Sequence, residues 1–183
     1  MKKKTVLASV IMLALLNGCG GKDASQHYAD AQQYISEHKY NAAIIELKSA
    51  IQQAPDNTEY RLALGNLYLQ DGNAIFAQKE LLRAKESGVP PEQVALNLVR
   101  ASYLSGLHQD VLALYSEDDT TLTEPLANYL QVYCALSELE LGASDKALEM
   151  FSTLAAIEQA DIASFAQANM LIPANQYQDA IAK

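Results

Sequence analysis

Few residues of this 183-residue chain have the chemistry of a site: two cysteines, three histidines and one dense acidic run. His27, His38 and His108 are scattered, with no HExxH and no Cys/His spacing of the kind that closes a tetrahedral metal site. His27 and His38 would sit near opposite ends of one helix. Glu117-Asp118-Asp119 lacks the alternating ligand spacing and the glycine of a calcium loop and reads as a solvated loop. Glu138 and Glu140 are two apart, so on a helix they point to different faces. No nucleophile elbow and no phosphate-cradling glycine loop is present. The expectation is a protein that is not an enzyme and holds no cofactor or metal. Of the two cysteines, Cys134 falls on the core side of an apolar helix pattern and reads as a small buried apolar residue. The chemistry of the chain then rests on Cys19.

The surroundings of Cys19 are informative. Lys2 to Lys4 form a positive stretch, and Thr5 to Leu16 a 12-residue apolar run. A bilayer span needs about 20 apolar residues, so this run is too short to cross and has the length of a secretory leader. Leu16-Asn17-Gly18-Cys19 follows and resembles a bacterial lipobox, in which cleavage before the cysteine precedes its acylation. The resemblance implies a signal peptide over 1–18, lipid on Cys19 and a tether over 19–23, part of the polar stretch Gly20 to Ser25. Two or three acyl chains hold a protein on a membrane where one does not. Gly20 stands where an aspartate would favour inner-membrane retention, so the resemblance implies the periplasmic side of the outer membrane. With Cys19 lipidated, no internal disulfide is possible.

The chain carries a net charge of −9; without Lys2, Lys3 and Lys4 it has 10 basic against 22 acidic residues, a balance of −12. Phosphate backbones need a basic stripe, so this balance argues against nucleic acid as a partner and against electrostatic docking on anionic lipid. Half the residues are hydrophobic, enough for a real core, and glycine and proline are few.

The element that organises the rest is Thr58 to Pro91, TEYRLALGNLYLQDGNAIFAQKELLRAKESGVPP. It reads as two helices, A and B, broken at Gly72-Asn73 and closed by Pro90-Pro91. Leu64, Gly65 and Tyr68 fall at places 7, 8 and 11 of 34; Ala77, Leu81 and Ala84 at places 20, 24 and 27. This pattern resembles the tetratricopeptide (TPR) repeat. Gly65 and Ala77 must be small where helix A crosses helix B. One unit cannot bury its apolar faces alone, so others must stack on it.

They are found on both sides. Repeat one is Ala24 to Asn57, with Ala31, Tyr34, Ala43, Leu47 and Ala50 in register, Lys39-Tyr40 at the turn, and Asp56, Asn57 or Thr58 as the next N-cap. His27 takes a place that is often bulky. Repeat three, 92–125, places Leu98, Val99 and Ser102 at the helix A positions, with a short helix B over about Gln109 to Tyr115 before the polar loop Ser116 to Thr121. Repeat four, about 128–161, has Cys134, Ala135, Gly142, Ala147 and Phe151 in place. A partial fifth, 161–183, is aligned on Ala168, Tyr177 and Ala180, with Pro173 shortening its helix A. The expected fold is all-α, a right-handed TPR superhelix (α-solenoid) of about four to five repeats spanning 24–183. Lys183 falls midway through a predicted helix B, which suggests the amino-terminal part of a longer repeat protein, or else a partner over that end.

Ala42 to Val94 carries a narrower resemblance. Ile45-Glu46-Leu47-Lys48, Glu80-Leu81-Leu82-Arg83-Ala84 and Gly88-Val89-Pro90-Pro91-Glu92-Gln93-Val94 are similar to the amino-terminal repeats of the PrsT-like TPR lipoproteins of the PEP-CTERM/exosortase system. That family implies a scaffold in exopolysaccharide-linked sorting and envelope or biofilm assembly, with no catalytic residues. The alternative is a TPR lipoprotein that assists type IV pilus or secretin assembly.

In such a solenoid the helix A residues line a concave groove. Here these are Tyr28, Gln32 and Ile35; Leu62, Asn66 and Leu69; Leu96, Arg100 and Tyr103; and Val132, Leu136 and Leu139. The groove is mixed apolar, with Asn66 and Arg100 as polar anchors, and suits an extended peptide or partner helix. Tyr28 and Ala63 stand where the basic and amide groups of a carboxylate clamp would be needed, which argues against chaperone-tail binding.

Overall fold

The computed structural model describes residues 21–115 and 122–170, and every regular element among them is a helix. Cys19, the leader, Ser116 to Thr121, Pro173, Tyr177 and Ala180 lie outside the described residues. The chain divides into two compact units, Met1–Asp56 and Asn57–Lys183.

The first unit is one helix pair, α1 (Ala24–Ser36) and α2 (Tyr40–Gln53). Asp23 starts α1 with a capping box: its carboxylate accepts from the Gln26 amide at 2.8 Å, and its own amide donates to Gln26 Oε1 at 3.1 Å. Ala31, Ala43, Leu47 and Ala50 are fully buried between the two helices. Lys22 pairs with Asp30 and with Glu46 at 3.3 Å. Lys22 and Asp23, the last residues of the expected tether over 19–23, thus contact the first helix pair.

The second unit continues the alternation: α3 (Thr58–Gln70), α4 (Ala74–Glu86), α5 (Pro91–Leu104), α6 (His108–Leu114), α7 (Glu124–Glu140), α8 (Ser144–Leu154) and α9 (Ala160–Met170). Each helix packs on the next, and the helix A members also touch in series: α3 on α5, α5 on α7, α7 on α9. This is the layered helix-pair packing of a TPR-type solenoid.

The repeat register is written into the backbone. His38, Gly72, Gly106 and Gly142, all at place 15, have φ of 57°, 78°, 72° and 83°. They are 34, 34 and 36 residues apart. Each ends a helix A with a left-handed residue, and the next amide donates to the carbonyl at place 11: Lys39 to Tyr34 and Asn73 to Tyr68 at 2.8 Å, Leu107 to Ser102 at 3.0 Å, Ala143 to Glu138 at 2.8 Å. The last interval is two residues longer because α7 and the connection before it lengthen by more than α6 shortens.

Several expectations need correction. Pro90-Pro91 does not close repeat two: Pro90 is the N-cap of α5 and Pro91 its first residue, where a missing amide costs nothing. Helix A of repeat four begins at Glu124, not near Asn128, with Pro125 in its first turn. In the fifth repeat Ala168 is exposed and Ala166 is fully buried. The connection after α8 is short, so the register there starts two residues earlier than expected. The small residue at place 8 also meets a different neighbour than expected. A Cβ on Gly65 would lie 2.6 Å from Leu81 Cγ and 3.2 Å from the Leu81 amide nitrogen, so the close approach is to Leu81 more than to Ala77.

Two variants test this geometry. Gly65→Ala forces Leu81 and its backbone aside and is expected to cost about 1–3 kcal/mol, read as a lower denaturation midpoint at unchanged m-value. His38→Gly removes the only non-glycine left-handed residue among those described. It is expected to stabilise by up to about 1 kcal/mol, and a lower melting temperature contradicts the turn.

Candidate functional site

Helix A positions were expected to form a partner groove, and the two units present them separately. In the first, Tyr28 and Ile35 are half-buried and Gln32 is exposed on α1. In the second, Leu62, Asn66 and Leu69 lie half-buried on α3; Leu96 and Tyr103 are half-buried and Arg100 is exposed on α5.

Much of this second-unit surface is committed to packing between repeats. Asn66 Oδ1 accepts from Asn97 Nδ2 at 2.9 Å, a bond from α3 to α5. Asn66 therefore spends part of its hydrogen-bonding capacity inside the protein. Leu96 and Tyr103 pack on the core of Val99, Val111, Leu130 and Cys134. The Tyr103 ring lies 5.6 Å from Tyr133 and 5.4 Å from His108. Val132, Leu136 and Leu139 pack against the Ala135, Phe151 and Ile162 cluster. Tyr129 donates its hydroxyl proton to Asp161 across α7 and α9, which holds the Asp161 carboxyl below its usual range. Arg100 is the exposed cation of this face.

Contacts between a basic side chain and a glutamate recur at fixed places inside repeats. His27 Nδ1 meets Glu46 Oε2, joining places 4 and 23 of repeat one. Arg61 meets Glu80 at 3.4 Å at the same two places of repeat two. Repeats three and four carry Ala95 with Leu114 and Gln131 with Met150 there. Places 11 and 19 change in the opposite sense. Tyr68 stacks on Phe76 at 5.4 Å in repeat two, whereas repeat four has Glu138 held by Lys146 at 2.5 Å. Glu138 is 5% exposed, and Glu140 on the opposite face is exposed.

A cleft of about 570 Å³ opens beside that pair, lined by residues of α6, α7 and α8 that include Gln131, Cys134, Glu138 and Lys146. Sequence reasoning missed it. The usable signal was the acidic residue at place 11, where repeats one and two have tyrosine. Cys134 is buried, as expected, and forms no disulfide among the described residues. Among the described residues no group of three or more His, Cys, Asp or Glu could hold a metal ion, and no helix is long and apolar enough to cross a membrane.

With this geometry in hand, comparison with known proteins is brief. A tetratricopeptide-repeat family model matches residues 34–101, from within α1 to within α5. No curated protein and no solved structure matches the chain. The matched residues are similar to TPR repeats, a fold whose usual role is a non-enzymatic, protein-binding scaffold.

The Glu46 network yields a pH prediction. The hydrogen bond from His27, aided by Lys22, holds the Glu46 carboxyl below its ordinary value. A lowered folded-state pKa means the unfolded chain takes up the proton first on acidification. The stabilisation is thus present above the ordinary glutamate range near 4.5 and is lost as pH falls through the lower folded value. Glu46→Gln is expected to flatten the acid side of the stability–pH curve while changing little between two points well below that range. An acid limb unchanged from wild type would show that Glu46 is not linked to folding.

Proposed function

We propose that this protein is a lipid-anchored periplasmic TPR scaffold. It holds a protein partner or extended peptide along its helix A faces, on the periplasmic side of the outer membrane, within exopolysaccharide/PEP-CTERM-linked envelope assembly. The observation that carries the scaffold reading is the TPR match over 34–101, joined to helix A members of successive repeats that lie side by side. The anchor is supported by the Lys2–Lys4 stretch, the apolar run and Leu16-Asn17-Gly18-Cys19. The pathway is supported by the resemblance over Ala42 to Val94. The acidic balance supports a protein partner over a nucleic acid.

The test is cross-linked co-purification of the acylated protein from native envelopes, beside an Arg100→Glu variant and a Cys19→Ser variant. Arg100 is the cleaner groove probe because Asn66 is bonded within the protein. The expected result is capture of polysaccharide-export or sorting components, lost in Arg100→Glu, and loss of acylation and membrane retention in Cys19→Ser. Pilus or secretin subunits in their place would move the protein to the alternative assembly. Persisting acylation of the serine variant would overturn the anchor.

A further inference from the structure

Lys22 and Gln53 clip the entering chain to the first helix pair. The Lys22 ammonium pairs with Asp30 on α1 and, at 3.3 Å, with Glu46 on α2. Its carbonyl accepts from Gln53 Nε2 at 3.0 Å, at the end of α2. Asp23 then caps α1, its carboxylate accepting from the Ser25 hydroxyl at 2.6 Å as well as from the Gln26 amide. A single exposed ion pair holds little. Here one residue is held three ways, by both helices, and the next residue is the helix cap.

Chain length turns this clip into a distance. Cys19 precedes Lys22 by three residues, and a residue spans at most about 3.6 Å, so their Cα atoms are no more than about 11 Å apart. The polar layer on each side of a bilayer is about 5–8 Å thick. α2 has 14 residues and is about 21 Å long. An acylated Cys19 therefore keeps the Lys22 end of the pair at the headgroups, while the α1–α2 turn lies about 20 Å further along.

Charge and composition fit that placement. Ser25, Gln26, Gln52 and Gln53, exposed at this end, are neutral hydrogen-bonding groups, and Lys22 and Asp23 are satisfied within the protein. The acidic excess lies elsewhere. Residues 20–56 have 3 basic against 5 acidic side chains, and residues 57–183 have 7 against 17. An anionic surface thus repels the first pair least.

We propose that the Lys22–Gln53 end of the first helix pair is a membrane-contact surface, seated in the headgroups of a phospholipid bilayer with the α1–α2 turn directed away. The inference rests on the acylation of Cys19 proposed above. The first repeat is then part of the anchor.

The test is fluorescence quenching of the acylated protein on vesicles of phosphatidylethanolamine and phosphatidylglycerol that carry a headgroup spin label. A bimane probe is placed at Gln52→Cys or at Asn41→Cys, each in a Cys134→Ala background. Both positions are exposed on α2. They are 11 residues apart, which sets them on the same side of the helix and about 16 Å apart along it. Quenching at position 52 is expected to be at least twofold that at position 41. Lys22→Ala with Gln53→Ala, which opens the clip, should lower that ratio. A Gly-Ser spacer of about ten residues ahead of Lys22, spanning about 17 Å, should bring it close to one. Equal quenching at the two positions overturns the seat, as does a ratio that the spacer leaves unchanged. A ratio that survives the double variant overturns the part given to the clip. Mass spectrometry of the same sample separates the two readings: acylated protein with equal quenching removes the seat and leaves the anchor, whereas Cys19 without lipid removes both. If circular dichroism shows Cys134→Ala unfolded, amide hydrogen exchange of the unsubstituted protein reads the same contrast. Exchange on vesicles should then slow over 23–26 and 50–54 and not over 37–42, and no such difference overturns the seat.

Discussion

The close crossing within each helix pair is the constraint on which the rest depends. Ala31, Gly65, Val99 and Ala135 occupy place 8, and all are buried. At Gly65 the approach to Leu81 leaves no room for even a methyl group. Such proximity lets a 13-residue helix bury its neighbour's Ala-Leu-Ala stripe without long side chains. It also fixes which faces remain for the next helix. Short amphipathic helices are marginal alone, and their stability comes from this packing. Where the crossing residue grows to valine, in repeat three, the place 20 residue Val111 of the same core cluster is also larger than Ala77, and helix B shortens to seven residues. The weakest repeat by sequence is thus the one whose geometry departs most, and the cleft lies on its far side.

Turn chemistry makes most of this legible from sequence. Gly72, Gly106 and Gly142 can be aligned because a left-handed residue is needed where helix A turns into helix B, and glycine reaches it freely. His38 fills the same place without that freedom, so no glycine rule finds it; the surrounding Ala31, Ala43 and Leu47 do. The fifth repeat is easily set out of register because alanine is common. Ala166 and Ala168 both suit a small place, and only the length of the connection after α8 decides between them. Pro90-Pro91 misleads for a related reason: proline stops one helix and starts another equally well.

Sites are less legible than the fold. Place 9 in a helix A predicts a surface side chain, but whether that side chain faces a partner or bonds to the next repeat depends on what stands 31 residues on. Asn66 finds Asn97 and is partly used; Arg100 is exposed. The cleft is hidden for a deeper reason. A cleft is made by what is absent, here two turns of α6 and one aromatic pair, and a pattern search rewards what is present. The informative positions are those where a repeat breaks its own rule, and Glu138 at place 11 is one of them.

The substitutions at places 4, 11, 19 and 23 argue that these departures belong together. Repeats one and two keep a basic side chain against a glutamate at places 4 and 23, half-buried, and tyrosine at place 11. Repeat four has a neutral amide and a thioether at places 4 and 23 and carries its buried carboxylate at place 11. A buried ion pair is a weak source of stability compared with an aromatic pair of similar volume. Selection for stability alone would therefore favour the arrangement of repeat two. Repeat four instead keeps a carboxylate at low exposure and pairs it with a lysine that reaches it from solvent. That pair distinguishes repeat four from a merely weakened copy of its neighbours: the interior position that is aromatic in repeat two is filled by a matched charge pair and not left empty.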